Sequence, residues 1–95
     1  MKKVRLEEYS MLSDMRFDDD VEIVMDLHTV VTGCVFKGNV VLEGTRRVMK
    51  VKLTIYAWKA LPVFINNIIY GNLEVKKSFK GVVRDNIVLP TEVAK

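Results

Sequence analysis

Apolar and polar residues alternate along several short stretches of the chain, each bounded by residues that favour turns. The clearest stretch follows three aspartates at 18–20, where Val21, Ile23, Met25 and Leu27 alternate with residues that include Glu22, Asp26 and His28. Alternation with a period of two places the apolar side chains on one face of an extended strand. Residues 21–28 are therefore predicted to form a half-buried strand.

Repeated strand signals of this kind predict a mainly β fold within a single domain, 1–95. Six or seven short strands, separated by Gly, Asn and Asp, are typical of an antiparallel meander, closed as a small barrel or left as a curved sheet. Tight hairpins are predicted over 35–42 and 82–89. Apolar residues at helical spacing within 4–16 predict a short N-terminal helix covering the sheet. An α+β arrangement is the near alternative.

One segment of the chain has an internal counterpart. Residues 37–42, KGNVVL, resemble residues 84–89, RDNIVL. We interpret the pair as the same hairpin chemistry used twice, because two copies of a short segment do not indicate a solenoid.

The segment 48–60, VMKVKLTIYAWKA, is predicted to be a strand with an unusual polar face. Lysines beside stacking aromatic side chains are a common way of holding single-stranded nucleic acid. The same patch would serve equally for self-association. The alternative is that the lysines are solvated and the aromatic rings are covered by the N-terminal helix or a subunit interface. The residues of this candidate site are Lys50, Lys52, Tyr56, Trp58 and Lys59.

The strand 21–28 and the turn before it carry a second, weaker candidate site. Carboxylates and one histidine at two-residue spacing could bind a divalent metal or a small ligand, or act in an enzyme as acid and base. Alternate residues of a strand lie about 6.6 Å apart, so one strand cannot easily surround a metal ion. The competing interpretation is charge pairing with a basic neighbouring strand, such as the one predicted to carry Lys50 and Lys52. The residues concerned are Asp20, Glu22, Asp26 and His28.

The net charge, the single cysteine and the absence of known motifs bear on which classes of function fit this chain. The net charge is +3 and the pI about 9.1, which permits contact with nucleic acid without requiring it. The single cysteine, Cys34, excludes an internal disulfide and is predicted to be a small buried side chain. We expect a cytoplasmic protein with no signal peptide, membrane span or cofactor, and the absence of catalytic motifs favours a non-enzymatic role. The chain has no glutamine and is rich in Lys, Arg and Glu, and in this composition it resembles small archaeal proteins from hot habitats.

Residues 80–93, KGVVRDNIVLPTEV, carry a resemblance to a known family. The segment resembles the strand-turn-strand region of AbrB-type swapped-hairpin antitoxins and transition regulators. The resemblance implies an interleaved dimer that binds DNA through basic loops. It would place Gly81 and Arg84 near the turn, with Leu89 and Pro90 closing the hairpin. A DNA-binding antitoxin is thus the third functional alternative.

Overall fold

The chain winds as a parallel β-solenoid in the computed structural model, which describes residues 1–52 and 57–90. Each turn of the solenoid, here called a rung, contributes one short strand to each of three sheets. A four-residue helix, α1 (Arg46–Met49), and a 3₁₀ helix (Ala57–Ala60) lie within the third rung. The strands in chain order are β1 (Lys2–Leu6), β2 (Met11–Ser13), β3 (Arg16–Phe17), β4 (Val21–Met25), β5 (Val30–Thr32), β6 (Val35–Phe36), β7 (Val40–Gly44), β8 (Val63–Ile65), β9 (Ile68–Ile69), β10 (Leu73–Val75), β11 (Val82–Arg84) and β12 (Ile87–Val88).

The three sheets are built from strands that lie three apart in the chain. Sheet A contains β1, β4, β7 and β10, sheet B contains β2, β5, β8 and β11, and sheet C contains β3, β6, β9 and β12. Every pairing in these sheets is parallel and joins two successive rungs. Strands that follow each other in sequence therefore belong to different sheets.

The strand register sets the length of the repeat. Lys2 lies beside Val21 and Val21 lies beside Val40, so the first two rungs are equal in length. Val40 in turn pairs with Leu73, so the third rung is much longer than the two before it. The four rungs comprise residues 2–20, 21–39, 40–72 and 73–90.

Columns of apolar side chains fill the interior, with one member of each column from each rung. Ile23 and Leu42 are neighbours in sheet A, and both are fully buried. In sheet C, Phe17 stacks on Phe36 with ring centroids 5.1 Å apart and planes inclined by 7°. Fully burying a side chain of this size contributes about 1.5–3 kcal/mol, so the columns are the main source of stability. Ile69 continues the second column.

One corner of the rung has the same backbone conformation all along the solenoid. This corner joins the sheet B strand to the sheet C strand and is called the second corner here. It has a residue with φ between 57° and 66° in all four rungs. This left-handed conformation is adopted most readily by Gly, Asn and Asp. The residues at this position are Asp14, Gly33, Asn66 and Asp85.

The structure confirms a mainly β fold but shows that the antiparallel meander, barrel or curved sheet is wrong, as is the α+β alternative. A hairpin and a solenoid corner both appear in sequence as strand, turn and strand. In 35–42, β6 and β7 lie in sheets C and A, and in 82–89, β11 and β12 pair with β8 and β9 rather than with each other. In each case the corner between the two strands sends the chain into the next sheet instead of back along the same one.

The predicted N-terminal helix is also wrong. Residues 4–16 contain the end of β1, all of β2 and the start of β3. β1 pairs with β4 and β2 pairs with β5, and Leu6 joins the buried core. Tertiary pairing with the second rung therefore overrides the local helical spacing.

The chain does contain a structural repeat, but the likeness between 37–42 and 84–89 does not mark it, and the interpretation as two hairpins is wrong. Lys37 follows the sheet C strand β6, whereas Arg84 lies in β11 of sheet B, so 37–42 and 84–89 are not equivalent. The structure instead aligns VVTGCVFKGN at 30–39 with VFINNIIYGN at 63–72.

Candidate functional site

The third rung carries an insertion, defined here as residues 45–62, that breaks the regularity of the solenoid. These residues join β7 to β8, where the second rung uses only 26–29 to join β4 to β5. In repeat proteins, an insertion of this kind forms a loop on one face, and that face is often the binding face. The insertion is therefore the leading candidate for a functional surface.

Buried residues and backbone hydrogen bonds fix both ends of the insertion to the solenoid. Thr45 caps α1 by accepting a hydrogen bond from the Val48 N–H, and it donates through Oγ1 to Asp26 Oδ1 at 3.0 Å. The side chain of Val48 is fully buried. At the other end, the Ala60 carbonyl accepts the His28 N–H at 2.8 Å. Both ends are thus held by the corner that follows β4.

The insertion contains all of the chain's excess positive charge. Five of the 15 Lys and Arg residues lie in it, and none of the 12 Asp and Glu residues do. The other ten basic and twelve acidic residues give the rest of the chain a net charge of −2, against +3 overall. Its basic residues are Arg46, Arg47, Lys50, Lys52 and Lys59.

The structure describes four of the five residues of the predicted Lys/aromatic site, namely Lys50, Lys52, Trp58 and Lys59. All four lie in the insertion, and none of them lies in a strand. Lys50, Lys52 and Lys59 are exposed, and Trp58 is 60% exposed. Tyr56 lies outside the described residues. Where the structure describes the segment 48–60, it contains the end of α1 and the 3₁₀ helix. Lys50 is the C-cap of α1, so the alternating strand face does not form there.

A groove runs beside the insertion on the outer face of sheet A. One depression of about 400 Å³ is lined by Arg5, Asp26 and Thr45, among others. A second, of about 300 Å³, shares Arg5 and Thr45 and adds Arg46. The basic residues that line the two depressions are Lys3, Arg5 and Arg46, and the acidic ones are Glu7, Asp26 and Glu43.

The four residues of the acidic candidate site lie in three different places and do not form one cluster. Asp20 accepts the Asn39 N–H at the corner between sheets C and A. Glu22 lies on the outer face of sheet A, 3.8 Å from both Lys3 and Lys76. Charge pairing of Glu22 with basic neighbours is thus present, although the lysines are not Lys50 and Lys52.

The other two members, Asp26 and His28, lie at the corner after β4, and neither is in the strand. Asp26 accepts hydrogen bonds from the Leu27 N–H and from Thr45. Within residues 1–52 and 57–90, no group of three or more His, Cys, Asp or Glu side chains is arranged to hold a metal ion.

Three residues that the sequence analysis did not select gather at this corner. Glu8 lies 2.9 Å from Arg47 and 3.9 Å from His28 Nε2. Its hydrogen bond, with the nearby charge of Asp26, raises the pKa of Arg47. Tyr9 stacks on His28 with ring centroids 4.7 Å apart and planes inclined by 14°. The register that sets β1 on β4 also aligns Tyr9 with His28, so recognising the repeat would have revealed the pair.

Cys34 is 1% exposed, as predicted for a small buried side chain. Burial raises the pKa of its thiol, while backbone hydrogen bonds act in the opposite direction. A thiol in this state is a poor nucleophile, because the thiolate is the reactive form.

Comparison of the chain with protein-family models, with curated proteins and with solved structures gives no match. The resemblance of 80–93 to AbrB-type proteins stays a prediction. In the described part of the chain, no helix has the length and apolar character needed to cross a membrane.

Proposed function

We propose that this protein is a non-catalytic cytoplasmic binding module whose insertion holds single-stranded nucleic acid. The observation that carries the proposal is the composition of the insertion. It contains five cations, no acidic residue and the exposed ring of the only tryptophan, Trp58.

The charge of the insertion supplies attraction to phosphate. Lys50, Lys52 and Lys59 are exposed, and the salt bridges among the described residues include none from these three side chains to a carboxylate. Lysines in that state neutralise phosphates and release counterions, which makes affinity fall as salt rises. The depression beside α1 adds Lys3, Arg5 and Arg46, against one carboxylate, Glu43.

The exposed ring of Trp58 favours a single strand over a duplex. Stacking on a side chain needs a base whose face is free, and each stacked base contributes roughly 1–3 kcal/mol. The bases of a duplex are stacked on one another and present only their edges in the grooves. An exposed tryptophan among lysines therefore fits single-stranded DNA or RNA.

The test is a titration with a short fluorescein-labelled oligothymidylate at several salt concentrations, with Trp58 emission as a second readout. We expect red-shifted, acrylamide-accessible emission that the oligonucleotide quenches and that added salt restores. Trp58→Ala should weaken binding by roughly 5- to 150-fold. Lys52→Gln should weaken binding and reduce its salt dependence.

The matched control is Lys37→Gln, which removes the same charge from an exposed residue outside the insertion. It should leave the affinity nearly unchanged. Equal weakening by Lys37→Gln and Lys52→Gln would mean that only net charge matters and would contradict the proposal. Preference for a duplex of the same length would favour the antitoxin alternative, and no binding at low salt would exclude both.

Self-association is a second candidate, favoured by the last rung of the solenoid. β10, β11 and β12 each lie at one of the two edges of their sheet, and Ile87 and Leu89 are about half exposed. An apolar strand edge is a template for pairing with a second copy. Light scattering over a range of protein concentrations tests this, since Ile87→Lys should shift an oligomer to monomer. Loss of the oligomer in Trp58→Ala instead would place the contact on the insertion, and a monomer at every concentration would exclude both surfaces.

A further inference from the structure

Tyr9 and His28 stack at the same corner of successive rungs, Tyr9 after β1 and His28 after β4. The backbone conformation at this corner is unusual. Both residues have positive φ, 69° for Tyr9 and 57° for His28. The second corner uses only Asp, Gly and Asn for its left-handed position, and those residue types adopt it most readily. His is also enriched in this conformation, but Tyr9 is an outlier, and such outliers concentrate at functional sites.

Burial does not explain the choice of an aromatic residue at this corner. Tyr9 is 76% exposed, although one face of its ring lies on His28. The contact with His28 orients the ring, and the high exposure leaves the opposite face open to solvent. The result is a fixed aromatic surface that the core of the protein does not need.

This surface adjoins the insertion. The His28 N–H donates to the carbonyl of Ala60, which belongs to the same 3₁₀ helix as Trp58. Glu8, next to Tyr9 in sequence, binds Arg47 of the insertion at 2.9 Å. The stacked rings and the cationic insertion are thus parts of one continuous surface.

We infer that Tyr9, backed by His28, is a second stacking platform for a base of the same single-stranded nucleic acid. The inference rests on the proposed function, because the insertion supplies the contacts to phosphate. It adds the prediction that the strand runs from the insertion onto the corner of the first rung. Arg47 is held between the two regions by Glu8 and Asp26.

The test compares two probes, a labelled oligothymidylate and an abasic strand with the same number of phosphates. Tyr9→Asn removes the ring and introduces a residue that tolerates positive φ, so the fold should be retained. We expect Tyr9→Asn to weaken binding of the oligothymidylate by roughly 5- to 150-fold and to leave binding of the abasic strand unchanged. Tyr9→Phe keeps the ring and should bind both probes as the wild type does.

The outcomes separate this inference from the proposed function. Equal weakening on both probes would mean that Tyr9 acts through the fold or through charge, and it would overturn the inference. Loss of base-dependent binding in Trp58→Ala but not in Tyr9→Asn would overturn the inference and leave the proposed function standing. If the wild type bound neither probe at low salt, both would fail.

Discussion

The side-chain oxygen Oδ1 of Asn67 lies 2.9 Å from the backbone nitrogen of Cys34 and accepts its hydrogen bond, which joins the third rung to the second inside the solenoid. Asn67 is 1% exposed, and its Nδ2 donates to the carbonyl of Val31 and to Asn86 Oδ1. The backbone N–H of Asn67 in turn donates to Asn86 Oδ1 in the fourth rung. The two asparagines form a short ladder along the axis.

Truncating Asn67 should destabilise the protein strongly. Asn67→Ala leaves the buried N–H of Cys34 without its acceptor, at a cost of about 1–3 kcal/mol, and removes two further hydrogen bonds. Denaturant unfolding measures the change. Asn39→Ala is the matched control, because Asn39 performs the same task for the exposed N–H of Asn72, which water can satisfy. A similar loss of stability in the two variants would contradict this account of the ladder.

A β-branched residue at the left-handed position of the second corner should destabilise the protein. Asn66 is exposed and has φ 57°, so its substitution tests the backbone with little change in packing. Asn66→Val should cost about 1–2 kcal/mol, since a left-handed conformation brings Cβ too close to the following carbonyl. Asn66→Gly should be tolerated far better, and thermal unfolding distinguishes the two. Equal melting temperatures would mean that the corner relaxes to a different conformation.

The ion pair between Arg47 and Glu8 should hold the insertion against the first rung. Arg47→Gln removes the pairing with Glu8 and Asp26, so we expect chymotrypsin to cut the folded protein after Trp58 several-fold faster. High salt should accelerate cleavage of the wild type in the same way, because salt screens exposed charges. Arg46→Gln makes the same charge change without touching Glu8 or Asp26. Faster cleavage in that variant as well would assign the effect to net charge.

The buried thiol of Cys34 should react only when the protein opens. Ellman's reagent should modify it slowly in the native state and rapidly in denaturant. Because burial raises the pKa of the folded thiol above its ordinary value of 9.0, the unfolded chain ionises first. Cys34 therefore leaves stability unchanged below that pH and reduces it as the pH rises above it. Cys34→Ala should lose this part of the pH dependence, and identical stability profiles for the two proteins would refute it.

The sequence by itself determined that the fold is mainly β and that residues 21–25 are extended. Alternation in 21–28 correctly placed Val21, Ile23 and Met25 in the core, because side chains on a strand point to opposite faces whatever the partner strand is. It wrongly continued the strand to Leu27, which lies half-buried at the corner after β4. The cysteine could likewise be assigned to the interior. The regular spacing of the rungs was present as well, from Asp14 to Gly33 and again from Asn66 to Asp85. The insertion lies between these two pairs, shifts the second out of step with the first, and so hides the repeat.

The direction of pairing was decided only by the tertiary structure. A strand carries the same alternation in parallel and antiparallel sheets, so nothing local in 35–42 separates a hairpin from a corner. The stacking of whole rungs buries the columns around Phe36 and gives residues 4–16 partners in the second rung. The same stacking brings Tyr9 onto His28 and Glu8 beside Arg47. These contacts join residues distant in sequence, and the register between rungs, a property of the assembled solenoid, sets them.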